Sequence, residues 1–108
     1  MNLLTTVKGD PLSFSVYHKE NNELYTLNYG EIYRINIKRT LTGADNVLVA
    51  ESDNTGFEVP TTELECGNYY FELELVNNIG VSRCISPATD IHGNCCNMIV
   101  ITERLGRK

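Results

Sequence analysis

Residues 92–97 read HGNCCN, with Cys84 and Asp90 shortly upstream. Thiolate and imidazole are the ligand types of a tetrahedral zinc site, so Cys84, His92, Cys95 and Cys96 form a candidate metal-ligand set, or the site of a metal- or redox-responsive binding module. Their spacing fits poorly. No C-x2-C pair is present, and the side chains of adjacent cysteines in an extended segment point to opposite sides. Unliganded thiols are the expectation, with a disulfide among Cys66, Cys84, Cys95 and Cys96 as the other outcome. Alternation would send Cys95 and Cys96 to opposite faces and bury one of them as a small hydrophobe. A nucleophilic cysteine needs a histidine within hydrogen-bond reach and a third group to orient it. His92 and Asp90 could fill those places, yet no oxyanion-hole or helix N-terminus signature accompanies them. The expectation is therefore no catalytic residue, no resident metal, no cofactor and no enzyme.

Glu72 and Glu74, with Glu63 and Glu65 just before them, form an acidic stripe that could serve as a glycosidase pair or a calcium site. With Arg34 and Lys38 available as neighbours, the stripe reads instead as an outer face crossed by ion pairs. His18, in the inward phase at a strand end, reads as a hydrogen-bonded structural histidine. Tyr17 and Tyr70 fall in the outward phase of their strands, and exposed aromatic rings are enriched where proteins meet, so these two are the candidate partner contacts.

The elements that must position these groups are strands. Leu12, Phe14 and Val16 alternate with Ser13, Ser15 and Tyr17; Tyr33, Ile35 and Ile37 alternate with Arg34, Asn36 and Lys38; Tyr69, Phe71, Leu73 and Leu75 alternate with Tyr70, Glu72 and Glu74. Shorter β-branched or aromatic runs at 3–7, 47–52, 57–59, 80–85 and 97–102 bring the total to about eight strands. Turn residues separate them: KGDP (8–11), ENNE (20–23), LTGADN (41–46) and SDNTG (52–56). Asn77-Asn78 reads as a two-residue hairpin connection between the strands at 68–76 and 79–85. No window has helical periodicity between a cap and a stop. The fold class expected is all-β, an antiparallel sandwich of about seven to eight strands, in one domain over 1–105 with a short basic tail at 106–108.

The chain of 108 residues is 42% hydrophobic and 21% charged, with a formal net charge of -5. That sign argues against sequence-independent nucleic-acid binding, which rests on Lys and Arg neutralising phosphates. No apolar run approaches the roughly 20 residues that span a bilayer. MNLLTTVKGD lacks a signal-peptide pattern, so a cytoplasmic protein with reduced cysteines is expected.

Four stretches in order resemble a known family: TVKGDPLSFSV (6–16), YTLNYGEIYRINIKR (25–39), FEVPTTELECGNYYFELEL (57–75) and NMIVITERL (97–105). They are similar to small immunoglobulin-like β-sandwich proteins of tailed phages and prophages of Gram-positive bacteria, related in pattern to the N-terminal domain of upper baseplate proteins. In LECGNYY (64–70), Leu64 is positioned to plug the end of a sandwich, Gly67 to permit the turn, and Tyr69 to enter the core with its hydroxyl on a nearby backbone group. The segment 83–97 departs from the family pattern by its length and its cysteines. The resemblance implies a structural or assembly module at a baseplate, tail or capsid surface, acting on other phage proteins or on its own copies, without nucleic acid or membrane. It also implies a host-cytoplasmic stage before assembly and a virion stage after it. A carbohydrate-binding or adhesin-like sandwich is the remaining alternative. The family has no catalytic residues to carry over.

Overall fold

Period-two alternation, with no competing helical stretch, leaves each segment one way to bury its apolar face. The computed structural model describes residues 2–43 and 45–103, and among these there is no helix. Ten strands follow in order: β1 (Asn2–Val7), β2 (Leu12–Ser15), β3 (Lys19–Glu20), β4 (Glu23–Leu24), β5 (Ile32–Lys38), β6 (Asn46–Ser52), β7 (Gly56–Val59), β8 (Gly67–Val76), β9 (Ser82–Ser86) and β10 (Asn97–Thr102). The count exceeds the seven or eight expected because the ENNE tip is itself a hairpin, with β3 and β4 contributing two residues each. Asn21 (φ 55°) and Asn22 (φ 67°) make it possible, since asparagine tolerates the left-handed region such a tight turn requires. The basic tail 106–108 and the end of the closing motif lie outside the described residues.

The larger sheet runs β1-β10-β8-β5-β6, and β9 pairs with the part of β8 that lies beyond β10. A separate two-stranded sheet is formed by β2 and β7. Pairing is antiparallel with one exception that corrects the sequence expectation: β1 lies parallel to β10, from Asn2 opposite Asn97 to Val7 opposite Thr102. The cause is the KGDP turn. Closed by Asp10 N–H donating to Val7 O at 2.9 Å, it carries the chain from the larger sheet to the smaller. β1 is therefore joined to β10 by no hairpin, and its direction is not reversed.

Inner faces of both sheets contribute to one apolar cluster. Tyr33, Ile35, Ile37, Tyr69, Phe71, Leu75, Ile99 and Ile101 come from the larger sheet, and Leu12, Phe57 and Val59 from the smaller. This arrangement is compatible with a β-sandwich. Each fully buried aliphatic side chain contributes about 1.5–3 kcal/mol. Leu64 is buried at one end of the cluster, and the Tyr69 hydroxyl donates to Glu65 O at 2.6 Å, as the sequence suggested. The Arg39 guanidinium lies 4.8 Å from the Tyr69 ring centre.

On the outer face, Arg34 binds Glu74 (2.7 Å) and Lys38 approaches Glu72 (3.9 Å), so the acidic stripe is an ion-paired surface. Burial works to raise the Glu74 carboxyl, but hydrogen bonds from Asn36 and Arg34 outweigh it and hold the group below the usual range. Asn36, placed outward by alternation, is nevertheless buried beneath these side chains.

The β8–β9 connection also differs from expectation. It spans five residues, Asn77 to Val81, and Gly80 (φ 88°) takes the left-handed position in place of an asparagine. Asn77 organises it instead: its Oδ1 accepts from Ile79 N–H (3.0 Å) and Val81 N–H (2.9 Å).

Candidate functional site

Strand direction decides which loops meet. Ile32 lies opposite Val76 and Tyr33 opposite Ser52, so the connections 16–31, 53–55 and 77–81 emerge at one end of the larger sheet, while 87–96 leaves from the far end of β9, where Ser86 lies opposite Leu73. The first and last of the three are tied to each other: Arg83 at the start of β9 forms an ion pair with Glu20 of β3, and Glu20 also meets His18 Nε2 at 2.9 Å. A second tie is steric. Gly30 (φ 83°) packs so closely on Asn78 that an added Cβ would come within 2.6 Å of the Asn78 Cβ, so this approach requires glycine.

Within the first connection, Tyr25 donates its hydroxyl to Glu31 (2.8 and 3.0 Å), and Glu31 also accepts from Asn28 N–H at 2.7 Å. The charge pattern is consistent with these partners. Hydrogen bonds from Arg83 and His18 lower the Glu20 carboxyl, and those from Asn28 and Tyr25 lower that of Glu31. The Glu31 bond also raises the Tyr25 phenol. A carboxyl lowered on folding stabilises the fold above its unfolded value, and that contribution is lost as the pH falls through the folded one. Acidification below about 4.5, the ordinary value for both groups, is therefore expected to release the β3–β4 hairpin from β9 first. Amide exchange checks this: protection at 19–24 should fall before that of β5 and β8. Simultaneous loss across the chain would show that the ties do not act separately.

This end is apolar at its surface. Nine large apolar side chains are exposed among the described residues, and five of them, Tyr17, Leu24, Tyr29, Ile79 and Val81, lie on these two connections. Tyr29 is 97% exposed here, and Ile91 is 94% exposed on the separate 87–96 segment. Ile91 sits at a hairpin tip closed by the Thr89–Cys95 bridge, where Asp90 Oδ1 accepts from His92 N–H (2.8 Å) and Asn94 N–H (2.9 Å). Those bonds, Asn94 first, hold the Asp90 carboxyl below the usual range. Asp90→Ala should loosen this tip alone. Amide exchange at His92 and Asn94 is expected to speed up with no change in melting temperature, and a global loss of stability would contradict a local role.

The residues singled out by sequence fall in different places. Tyr17 is exposed at this end, 74% accessible, with the Lys19 ammonium 5.5 Å from its ring centre. Tyr70 is half-buried on the outer face of the larger sheet, in register with Lys38 and Met98, away from the loops. His18 is hydrogen-bonded and largely covered, as expected.

Cys84 and His92 are exposed, and Cys95 and Cys96 are both half-buried, so neither of the adjacent pair takes the core position expected for one of them. The core position belongs to Asn97, which is fully buried. The structure does not bring these candidates together: among the described residues no group of three or more His, Cys, Asp or Glu side chains could hold a metal ion, and all four cysteines are free thiols. Partial desolvation by its neighbours, then the Glu72 charge, pushes the Cys84 thiol up, away from reactive thiolate.

Sequence reasoning missed Tyr29, Ile79 and Ile91 because isolated apolar residues in loops carry no periodicity. The signal available was their number in segments otherwise rich in turn residues. Comparison with protein-family models, curated proteins and solved structures finds no match to this chain.

Proposed function

We propose that the chain is a non-enzymatic, immunoglobulin-like β-sandwich that serves as an assembly module, binding other proteins or its own copies through the apolar loop end. The observation that carries this reading is the placement of five exposed apolar side chains on two connections that are fixed to each other. Exposed apolar surface on ordered backbone lowers the entropy cost of association and marks interaction sites on soluble proteins. The immunoglobulin-like reading is supported by the order β10-β8-β5-β6 facing β2-β7 and by the Tyr69–Glu65 bond near the start of β8, which has the form of a tyrosine corner. In such domains the loops of one end commonly form the binding surface. The sequence resemblance supports a place for the module in a phage or prophage particle, at its baseplate, tail or capsid surface, after a cytoplasmic stage in the host.

Light scattering after size-exclusion chromatography, with co-purification against the products of neighbouring genes, tests the proposal. Self-association or capture of a virion protein is expected, and the double variant Tyr29→Ser, Ile79→Ser should abolish it without shifting the melting temperature. A chain that stays monomeric and captures none of those products would sink the idea.

A further inference from the structure

The smaller sheet has only two strands, so β2 keeps an open edge. Register decides which groups face it. Val16 N–H donates to Thr55 O at 2.7 Å, continuing the ladder in which Leu12 and Phe14 direct their main-chain groups at β7. Ser13 and Ser15 therefore direct theirs away from β7. No hydrogen bond to these outward groups exists among the described residues. Along LSFSVY (12–17) the edge carries no charge and no proline, although Pro11 stands just before it, and its pairing with β7 is without a bulge. Three other open edges carry charge: Glu51 on β6, Glu58 on β7 and Arg83 on β9.

Beside β2 lies a cleft of about 200 Å³. No β7 residue lines it, which puts it on the side of β2 away from β7. Leu4 of β1, Leu73 of β8 and Ile85 of β9 contribute from the larger sheet, and Phe14 and Val16 from the β2 side. An apolar cavity of about 150 Å³ holds a benzene molecule, so this cleft has room for one medium-sized apolar side chain.

We infer that the β2 edge receives a single extended segment of another protein, paired to the main chain of Ser13 and Ser15, with one aliphatic side chain seated in the cleft. Open main-chain donors and acceptors at strand spacing are matched by another strand, and a pocket beside the edge selects the side chain. The larger sheet reaches past β2, since β1 and β9 line the cleft. Two copies set β2 to β2 at the roughly 4.8 Å strand spacing would drive these overhanging strands into each other, whereas a lone strand fits above them. The net charge of -5 also disfavours a second copy and favours a donor segment bearing Lys or Arg. β1 is likewise a neutral edge, but a strand added there would lie beyond the cleft and leave it open. The inference deepens the assembly role proposed above and rests on it, while using a face distinct from the loop end.

The test uses the full chain and an end-capped octapeptide, Lys-Thr-Val-Thr-Ile-Thr-Val-Lys, as the probe. Binding should slow amide exchange at Ser13 and Ser15 by about tenfold or more. Two N-methylated forms of the peptide, blocked on alternate sets of amides, should differ, with only one losing affinity. Ser15→Pro, which removes an N–H that points away from β7, should abolish binding, and the methylated peptides give the same information without altering the fold. Protection at Leu3 and Thr5 instead, equal binding of both methylated peptides, no binding of the unmodified peptide, or a dimer of the chain alone that protects Ser13 and Ser15 would each overturn it. If the β2 test fails while Tyr29 and Ile79 remain necessary for association, the inference falls and the assembly role stands.

Discussion

Replacing Asn97 by alanine is expected to destabilise the protein by about 2–3 kcal/mol, the range for leaving more than one buried polar group without a partner. Asn97 is fully buried, and its side chain joins three strands. Nδ2 donates to Ser86 Oγ (2.9 Å), Ser86 O (3.3 Å) and Pro87 O (2.9 Å), and Oδ1 accepts from Asn2 Nδ2 at 2.9 Å. β1, the end of β9 and the start of β10 therefore meet on one amide. Alanine removes all four contacts and leaves the Ser86 and Pro87 carbonyls without this donor. Denaturant unfolding should show the midpoint fall with an unchanged slope, and heat should unfold the variant roughly 10 °C or more earlier. Asn97→Asp, which keeps the shape but loses the donors, should be no better. A loss under about 0.5 kcal/mol, the usual range for a surface change, would mean that the amide does not hold these strands.

Two tyrosine hydroxyls should respond in opposite directions to the same change. Tyr69→Phe is expected to cost about 1–2 kcal/mol, because it deletes the 2.6 Å bond to Glu65 O that fixes the turn into β8. Tyr33→Phe is expected to stabilise by about 1 kcal/mol, because an unmade buried hydrogen bond costs on the order of 1–3 kcal/mol in desolvation. The Tyr33 ring is completely buried and its hydroxyl has no hydrogen-bond partner among the described residues. That burial, with the charges of Glu31 and Glu20, also raises its phenol. Unfolding midpoints measured on both variants under one buffer check the pair. Equal losses in the two would show that the Tyr33 hydroxyl has a partner in solution.

The strands were legible because burial on one face forces period two. Tyr33, Ile35 and Ile37 are inaccessible, as the alternation required, and the Leu64–Gly67–Tyr69 corner forms from residues within five positions of each other. What the alternation does not encode is which strands pair. The parallel placement of β1 depends on where the KGDP turn delivers the chain, and the ENNE hairpin is too short to show a period. The candidate site was less legible still. Tyr17 was readable from phase, but Tyr29 and Ile79 become one surface through the Arg83–Glu20 pair and the Gly30–Asn78 approach, both of which join residues far apart in sequence. The cysteine segment drew notice through residue type alone, and the residue in it with most structural consequence is the asparagine that ends it.

The parallel pairing of β1 with β10 also determines how the molecule bears tension. Asn2 begins one strand beside Asn97, and Thr102 ends the other beside Val7, so a pull applied through residues 2 and 102 draws the two strands past each other lengthwise. All six register pairs then carry the load together, whereas an antiparallel hairpin pulled from its open end parts one pair at a time. Single-molecule stretching should find a higher rupture force along the 2–102 axis than between residues 73 and 86, whose strands β8 and β9 peel from one end. In a particle whose parts are linked in series, such a strand pair would act as a tether that yields abruptly, not as a spring.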